Sequence, residues 1–445
     1  MGMRFSFYTL GCKLNYSESN AIGRLLEGQG YTQTAFGTAV DLVIINTCSV
    51  TDHADRKCKR VVREALKTSP AAKVVVIGCY AQLKPKEITE MPGVSLVLGA
   101  AEKFNLAYYV EQLGKEAQPA YQNSSIHTIA GYNHSYSFGE RARAFLKVQD
   151  GCDYSCSFCT IPLARGQSRS PDIAELVVQA QKIADEGARE IVLTGVNIGD
   201  YGHEVSLSGQ TPSKHGQLLS LLKALEQVEG IERFRISSIE PNLLSDAIIE
   251  FVAGSLKYVP HFHVPLQSGS NTVLRDMRRR YKRELYASRI GLIKSLMPDA
   301  CIGGDVIVGF PTESRALFEE TKDFITDLEL DYLHVFPFSA RTHTVAAGMV
   351  SVVSDGERAA RREKLQRISD KKRALFYLSQ AGQTRQVIWE NELVNGLLTG
   401  VTDNYVKVLA QYSPELVGEL SWVTLTELDR SGKMLGQHAE EMLVH

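Results

Sequence analysis

Three cysteines lie close together near the middle of the chain, at Cys152, Cys156 and Cys159. Their spacing places three thiolates in one short loop that directly follows an apolar, strand-like segment. Three thiolates can bind three irons of a 4Fe–4S cluster and leave the fourth iron open to a small molecule. The main rival is a zinc site, which usually takes a fourth protein ligand, and no further cysteine or histidine lies nearby in the sequence. We therefore favour an iron–sulfur site with an open position.

A second set of cysteines is dispersed through the first part of the chain, at Cys12, Cys48 and Cys79. Each of them follows an apolar segment that is predicted to be a β-strand. In an open parallel α/β sheet, sites form beyond the carboxyl ends of the strands, so the three thiols should converge there. A single free cysteine is often only a small apolar core residue. Three cysteines in the same topological position favour ligation of a second cluster with an open iron.

The eight cysteines follow no recognisable secretory signal. Clustered thiols in such a chain indicate metal ligands or catalytic groups rather than disulfides. Cys58 lies in a basic helical stretch and Cys301 opens a predicted strand, so neither has the placement of the other six. These two are predicted to be structural.

Composition limits the class of protein. The 445 residues are 44% hydrophobic and 22% charged, which is ordinary for a globular protein of several domains. No apolar run approaches the roughly 18 residues of a membrane span, so we expect no membrane partner. The N-terminus lacks the apolar region of a secretory signal, so we expect a cytoplasmic protein, and we expect it to be a monomer. The net charge of −2 gives no overall attraction to a polyanion, and any RNA contact must come from a local basic patch.

The elements that position the cysteines predict a multidomain α/β protein. In residues 1–113, β-branched apolar runs alternate with helical patterns, which predicts a parallel α/β domain. The polar segment 114–140 is predicted to be a linker. Residues 141–355 hold six strand–helix units, which predict a partial (β/α)6 barrel. A charged helix over 356–380 and four short alternating segments within 381–445 predict a basic linking helix and a small β-barrel.

The sequence resembles the methylthiotransferase family over nearly the whole chain, and the resemblance includes both cysteine sets. The Cys152–Cys159 motif, with Phe158 before its last cysteine, is similar to the hallmark of the radical S-adenosylmethionine (SAM) superfamily. Gly11–Asn15 and Ile161–Gly166 resemble the branch that acts on N6-threonylcarbamoyladenosine. The other motifs that carry the resemblance are Asn46–Cys48, Gly78–Cys79, Leu193–Asn197, Ser237–Pro241, Pro265–Ser270 and Asp305–Pro311.

This resemblance implies a transferase that adds a methylthio group to C2 of N6-threonylcarbamoyladenosine at position 37 of a tRNA. It implies two 4Fe–4S clusters and SAM as cofactors. One cluster, on the Cys152–Cys159 motif, would bind SAM and yield a 5′-deoxyadenosyl radical. The other would carry the transferred sulfur, which makes its cysteines catalytic as well as metal-binding. The candidate ligands of this sulfur-carrying cluster are Cys12, Cys48 and Cys79.

The resemblance also implies further contacts and partners. The candidate SAM contacts, all near strand ends, are Asn197, Ser238, Glu240 and Gln267. The expected partners are the anticodon stem–loop of tRNA and an electron donor such as flavodoxin or ferredoxin. The C-terminal barrel would be a TRAM domain, the small RNA-binding barrel of tRNA-modifying enzymes.

The charged helix that precedes this barrel is a candidate RNA contact. Such a helix is usually only a solvated face, but its position beside the barrel favours contact with phosphates. The candidate RNA-binding residues are Arg358, Arg361, Arg362, Lys364 and Arg367.

Three other functions remain open from the sequence. Related enzymes act on isopentenyladenosine in tRNA or on an aspartate of a ribosomal protein. A non-enzymatic alternative is an iron–sulfur protein that binds RNA or transfers electrons. A cluster with an open iron argues against simple electron transfer, which favours full ligation.

Overall fold

The computed structural model of the chain divides into two compact units. The first comprises Met1–Ser137, Gln149–Ser155 and Cys159–Ser170, and the second comprises Phe138–Val148, Cys156–Phe158 and Pro171–His445. The residues whose structure is described are 2–48, 52–113, 121–126, 129, 131–138, 142–202 and 217–438.

The first unit is built around a parallel sheet in the strand order β2-β1-β3-β4-β5-β6. Its central strands are β-branched runs buried on both faces, as the sequence predicts, and one apolar cluster packs on each face. Its elements are β1 (Arg4–Thr9), α1 (Lys13–Glu27), β2 (Thr32–Gln33), β3 (Leu42–Thr47), α2 (Asp52–Thr68), β4 (Lys73–Gly78), α3 (Cys79–Leu83), α4 (Pro85–Thr89), β5 (Val94–Leu98), α5 (Leu106–Gln112), β6 (Tyr121–Gln122), β7 (Tyr136–Ser137) and α6 (Ile161–Arg165).

Two segments differ from the domain limits expected from the sequence. The described residues of the expected linker as far as Ser137 belong to the first unit, where β6 pairs with β5 and Ser135 Oγ lies 3.1 Å from Ser17 Oγ of α1. Residues 114–120 of that linker lie outside the described residues. Part of the loop that follows the strand Arg143–Lys147 also belongs to the first unit, where α6 packs against α3.

The second unit begins with a series of strands and helices. Strands β8, β9 and β10 pair in parallel, as do β11, β12 and β13, and a parallel bridge between Ser238 and His263 joins the two sets. These elements are β8 (Arg143–Lys147), α7 (Ile173–Asp185), β9 (Glu190–Thr194), α8 (Gln217–Glu226), β10 (Arg233–Ile236), α9 (Asp246–Gly254), β11 (His261–His263), α10 (Asn271–Asp276), α11 (Arg283–Leu296), β12 (Cys301–Val308), α12 (Arg315–Asp327) and β13 (Tyr332–Pro337).

A long helix and a closed five-stranded barrel complete the second unit. The barrel order is β14-β15-β16-β18-β17, and Trp389 is fully buried in its interior. The sequence predicts four of these strands but not the fifth, Met434–His438, in which apolar and polar residues do not alternate. The elements are α13 (Asp355–Ser379), β14 (Thr384–Val394), β15 (Leu397–Thr402), β16 (Lys407–Gln411), β17 (Leu420–Leu428) and β18 (Met434–His438).

A buried ion group ties this small barrel to the parallel strands within the second unit. Glu190 on β9 lies 2.9 Å from the Nε atoms of both Arg233 and Arg235 on β10. The two guanidinium groups also donate to backbone carbonyls of the barrel, at Gln386 and Thr402, over 3.0 and 3.1 Å. Since all three charged side chains are almost fully buried, the barrel is held by charge-assisted hydrogen bonds as well as by apolar packing.

Within the described part of the chain, none of the helices is both long and apolar enough to cross a lipid bilayer.

Candidate active site

Cys12, Cys48 and Cys79 lie beyond the carboxyl ends of three adjacent strands, β1, β3 and β4. Cys79 is close enough to Cys12 to influence its ionisation. Cys48 packs against the backbone of Gly11, where an added Cβ would lie 2.5 Å from Cys48 Cβ and 3.1 Å from its Sγ. Gly11 also has a φ of +99°, so a side chain there would be both strained and in collision with the cysteine. The three cysteines therefore lie at one edge of the sheet, as strand topology predicts, and their role as cluster ligands stays a prediction.

Asn15 in the first turn of α1 fixes the loops that carry two of these cysteines. Its Nδ2 donates to the carbonyl oxygens of Leu10 and Thr47, over 2.7 and 2.9 Å. Both of these residues lie within two positions of a cysteine, Cys12 or Cys48. One buried amide thus sets the separation of two strand ends.

A buried arginine lies beside the same cysteines. Arg165, at the end of α6, donates to Glu18 Oε1 and Asp150 Oδ1 over 3.0 Å each and to Asn15 Oδ1 over 2.7 Å. The surrounding protein raises the pKa of the Cys12 thiol, although part of this residue reaches solvent, and the Arg165 charge acts in the opposite direction. A cation beside a thiol favours the thiolate, which is the form that binds metals.

Sequence reasoning did not identify Arg165 as part of the site. The local signal is limited to an arginine that ends a short helix directly after the Cys152–Cys159 motif. Its partner Glu18 is 147 residues away, and no periodicity in the sequence relates the two.

Backbone groups are directed at two of the motif sulfurs in the first unit. The N–H of Tyr154 donates to Cys152 Sγ, and the N–H of Ile161 donates to Cys159 Sγ, over 3.4 Å in each case. Hydrogen bonds to sulfur are among the features by which proteins tune iron–sulfur clusters. The loop therefore has the donor groups that such a cluster uses.

Cys156, which belongs to the second unit, has a cationic neighbour there. Arg279 donates from Nη1 to Cys156 Sγ over 3.1 Å, and its Nη2 is paired with Glu240. Burial raises the pKa of the Cys156 thiol, and Arg279 opposes this rise. Glu240, expected as a SAM contact, thus holds an arginine that contacts a cysteine of the motif. Arg279 was also missed, although it lies in the basic run Arg278–Arg280.

The other three candidate SAM contacts follow the strands from which they were expected to project. Asn197 lies after β9, where its Nδ2 donates to Asp200 over 3.0 Å. Ser238 lies after β10, in a bridge with His263. Gln267 lies after β11 with a φ of +64°, an unusual value for a residue other than glycine. Their assignment to SAM stays a prediction.

The second unit also contains a group of potential metal ligands that the sequence did not indicate. Asp305 Oδ1 lies 3.0 Å from His263 Nε2 and 3.2 Å from His334 Nδ1. Burial alone would raise the pKa of Asp305, but the two histidines hold it well below its usual range. Two histidines and a carboxylate can bind a divalent transition ion. Here both histidines lie within hydrogen-bond distance of one carboxylate oxygen, so hydrogen bonding alone accounts for the arrangement.

The basic helix α13 requires one correction to the expected RNA contacts. Arg361 is 3% exposed and faces inward, where its Nη1 pairs with Glu313 Oε2 over 2.6 Å. The prediction that Arg361 contacts RNA is therefore wrong, because its guanidinium is used inside the protein. The sequence carries a signal for this, since Leu365 lies one helical turn later and is fully buried on the same face.

The remaining candidates on α13 differ in exposure. Arg358 is mostly covered and donates to Ser351 Oγ and the Val353 carbonyl, so it also has internal partners. Lys364 and Arg367 have side chains that are 58% and 77% exposed. Arg362 is exposed and lines a groove of about 560 Å³ together with Arg367.

The two cysteines predicted to be structural are buried in apolar cores. Cys58 is fully buried beneath the first-unit sheet, and its burial raises the pKa of its thiol to about 12. Cys301 packs at the base of the C-terminal barrel. Neither lies in the candidate site.

Two family models match the chain. Residues 4–99 match the one described as uncharacterized protein family UPF0004, and residues 146–325 match the radical SAM superfamily.

Solved structures with a similar fold are radical SAM enzymes. The radical S-adenosylmethionine methyltransferase TsrM from Kitasatospora setae, solved with cobalamin and a [4Fe-4S] cluster, gives a TM-score of 0.52 at 13% identity and covers 76% of this chain and 75% of its own. The cobalamin-dependent enzyme OxsB gives 0.51 at 12% identity and covers 78% of this chain and 54% of its own. At such identities the likeness shows the fold alone.

Sequence relatives extend over almost the whole chain. The threonylcarbamoyladenosine tRNA methylthiotransferase MtaB of Bacillus subtilis (strain 168) is 39% identical over 93% of this chain and 92% of its own. The protein of the same name from Aquifex aeolicus (strain VF5) is 35% identical over 94% and 99%. The tRNA-2-methylthio-N(6)-dimethylallyladenosine synthase of Wolinella succinogenes is 33% identical over 97% and 98%. The chain therefore belongs to the family of radical SAM tRNA methylthiotransferases.

Proposed function

We propose that this protein transfers a methylthio group to C2 of N6-threonylcarbamoyladenosine at position 37 of tRNA. The observation that carries the proposal is the convergence of Cys12, Cys48 and Cys79 in a chain that also has the Cys152–Cys159 motif. The choice of substrate rests on the relatives named for threonylcarbamoyladenosine, which are 39% and 35% identical.

The two cysteine sets are the proposed ligands of two 4Fe–4S clusters. The donor chemistry fits, since thiolates and N–H groups directed at sulfur are what such clusters use. The proposed radical-cluster ligands are Cys152, Cys156 and Cys159, and the proposed ligands of the sulfur-carrying cluster are Cys12, Cys48 and Cys79. When bound, these clusters and SAM would supply the radical and the sulfur that functionalisation of an unactivated aromatic C–H bond requires.

The protein's own groups orient and tune this chemistry. Arg279, held by Glu240, places a cation against Cys156, and Asn15 fixes two cysteine loops in the first unit. Asn197, Ser238 and Gln267 offer amide and hydroxyl groups at strand ends, where we propose that they contact SAM.

The direct test is to analyse tRNA from a strain that lacks this protein. Nucleosides from digested tRNA are separated and identified by mass spectrometry. We expect the 2-methylthio form of threonylcarbamoyladenosine to disappear and its unmodified precursor to accumulate. Expression of the chain from a plasmid should restore the modified nucleoside.

Other outcomes of the same experiment would favour the alternatives. Loss of the methylthio form of dimethylallyladenosine would indicate the activity named for the relative from Wolinella succinogenes. Unchanged tRNA together with an altered ribosomal protein would indicate a protein substrate. Unchanged tRNA and protein would contradict a methylthio transfer activity altogether.

We further propose that the C-terminal barrel is a TRAM domain and that α13 beside it contacts tRNA phosphates. The support is a closed five-stranded barrel that follows a helix with exposed cations at Arg362, Lys364 and Arg367. A flavodoxin or ferredoxin as the electron donor, and a monomeric state, belong to the same proposal.

Replacing Arg362, Lys364 and Arg367 together by glutamine is expected to weaken tRNA binding. For every phosphate that no longer meets a cation, the slope of log affinity against log salt should become shallower by roughly 0.7 to 0.9. The measurement is fluorescence anisotropy with an anticodon stem–loop at several salt concentrations. Glu363→Gln on the same exposed stretch is the control and should leave binding unchanged or tighter. An unaltered salt slope in the triple variant would exclude α13 from the interface.

A further inference from the structure

The charge balance around Arg165 is unusual for a buried group. Arg165 is 3% exposed and makes ion pairs of 3.0 Å with Glu18 and Asp150. Lys103 Nζ lies 2.7 Å from the second oxygen of Glu18, and Arg169 Nη2 lies 3.1 Å from the second oxygen of Asp150. Among the described residues, these ion pairs join three cations to two carboxylates, which is an excess of one positive charge.

This excess charge lies next to the converging cysteines. Asn15 Oδ1 accepts a hydrogen bond from Arg165 Nη2 over 2.7 Å and lies 3.8 Å from Cys12 Sγ, so a single amide oxygen separates the guanidinium from this thiol. Charges separated by several ångströms inside a protein interact far more strongly than they do in water. Ligation by three thiolates concentrates negative charge at this site, and an added electron increases it further.

A structural role can account for the ion pairs, but it does not account for the excess positive charge beside the cysteines. A buried ion pair that serves only to join segments contributes little more than apolar packing of the same volume. The partners of Arg165 are instead arranged to hold its guanidinium rigidly, with hydrogen bonds to Asn15, Glu18 and Asp150. Asn15 in turn bonds the cysteine loops.

We propose that Arg165 is a positioning residue that sets the reduction potential of the cluster held by Cys12, Cys48 and Cys79. Its fixed charge stabilises the more negative, one-electron-reduced state. The step is the addition of one electron from an external reductant to the oxidised cluster, and no bond forms or breaks. The inference rests on the proposed function, because it requires a cluster at these cysteines.

The experiment isolates this cluster in the full-length chain. Cys152, Cys156 and Cys159 are replaced by alanine, and the remaining cluster is reconstituted anaerobically. Its reduced fraction is followed by electron paramagnetic resonance during titration with dithionite. Arg165→Gln is expected to lower the ratio of reduced to oxidised cluster at a fixed potential by about tenfold. Lys59→Gln, which removes an exposed cation of the same unit, should leave the ratio unchanged.

Two further variants separate charge from structure. Arg165→Lys keeps the positive charge but loses the planar guanidinium group, so it should retain most of the native ratio of reduced to oxidised cluster. Arg165→Gln combined with Asp150→Asn removes one charge of each sign and should return the ratio to within about twofold of native. If Arg165→Gln alone binds no cluster, these two variants decide. The proposal is supported if both variants have a native-like ratio of reduced to oxidised cluster. It is overturned if this ratio is about tenfold below native in both variants.

Failure of the inference and failure of the proposed function give different results. Absence of iron and sulfide in the background that keeps Cys12, Cys48 and Cys79 would contradict the proposed second cluster itself. A cluster whose ratio is unchanged by Arg165→Gln would overturn the role of Arg165 and leave the proposed function standing. An Arg165→Lys variant that behaves like Arg165→Gln would assign the residue a structural role only.

Discussion

Alanine at Cys12, Cys48 and Cys79 together is expected to abolish methylthio transfer to tRNA while cleavage of SAM continues. The expectation follows from their position, since they converge at one edge of the first-unit sheet, whereas the proposed radical-cluster ligands lie on a separate loop. Mass spectrometry of the tRNA nucleosides should show no methylthio product. Chromatography of the same reaction should show 5′-deoxyadenosine.

The control for this variant uses the same residue type outside the site. Cys58→Ala and Cys301→Ala remove thiols from apolar cores, so each should cost about 1 kcal/mol of stability and leave transfer intact. Methylthio product from the triple variant would rule out a sulfur-carrying role for these cysteines. Loss of SAM cleavage in the triple variant would mean that the two cysteine sets do not act separately.

Glu190→Gln is expected to destabilise the second unit by roughly 3–5 kcal/mol, because it leaves two buried guanidinium groups without their anion. Arg233 and Arg235 both bond to Glu190 and to carbonyls of the C-terminal barrel. The loss of stability should therefore appear in the unfolding of that barrel. Urea unfolding followed by tryptophan fluorescence is suitable, since Trp389 lies in the barrel core.

The dependence of this effect on pH has a definite sign. Burial alone would raise the pKa of Glu190, but Arg235 and Arg233 hold it well below its usual range. A carboxylate with a depressed folded pKa stabilises the protein above its unfolded pKa of about 4.3 and loses that contribution as the pH falls further. The difference between the native protein and Glu190→Gln should be constant from about pH 6 to 8 and should shrink below about pH 4.

Glu232→Gln is the matched control for the glutamate. This neighbouring carboxylate is 47% exposed and lies 3.8 Å from Arg189, so its loss should cost less than about 1 kcal/mol. Equal destabilisation by the two substitutions would show that burial of the Glu190 ion group does not determine its contribution to stability.

Local sequence patterns are sufficient to predict the strands of the first-unit sheet and the alignment of its cysteines. Runs such as Leu42–Thr47 and Lys73–Gly78 are β-branched and apolar on both faces, a local pattern that is typical of a parallel strand covered on both faces. Parallel strands end at one edge of their sheet, so cysteines placed directly after those strands lie at that edge. The compact motif at Cys152–Cys159 is likewise recognised from its spacing.

The charged side chains that are used inside the protein become known only from the folded chain. Arg361 and Arg362 are adjacent cations in the sequence, yet one is buried against Glu313 and the other is exposed, because the helix packs one face and not the other. Arg165 and Glu18 meet across 147 residues of chain. Periodicity indicates which face of an element is buried, but the partner that a buried charge meets depends on contacts between distant segments, which no local pattern encodes.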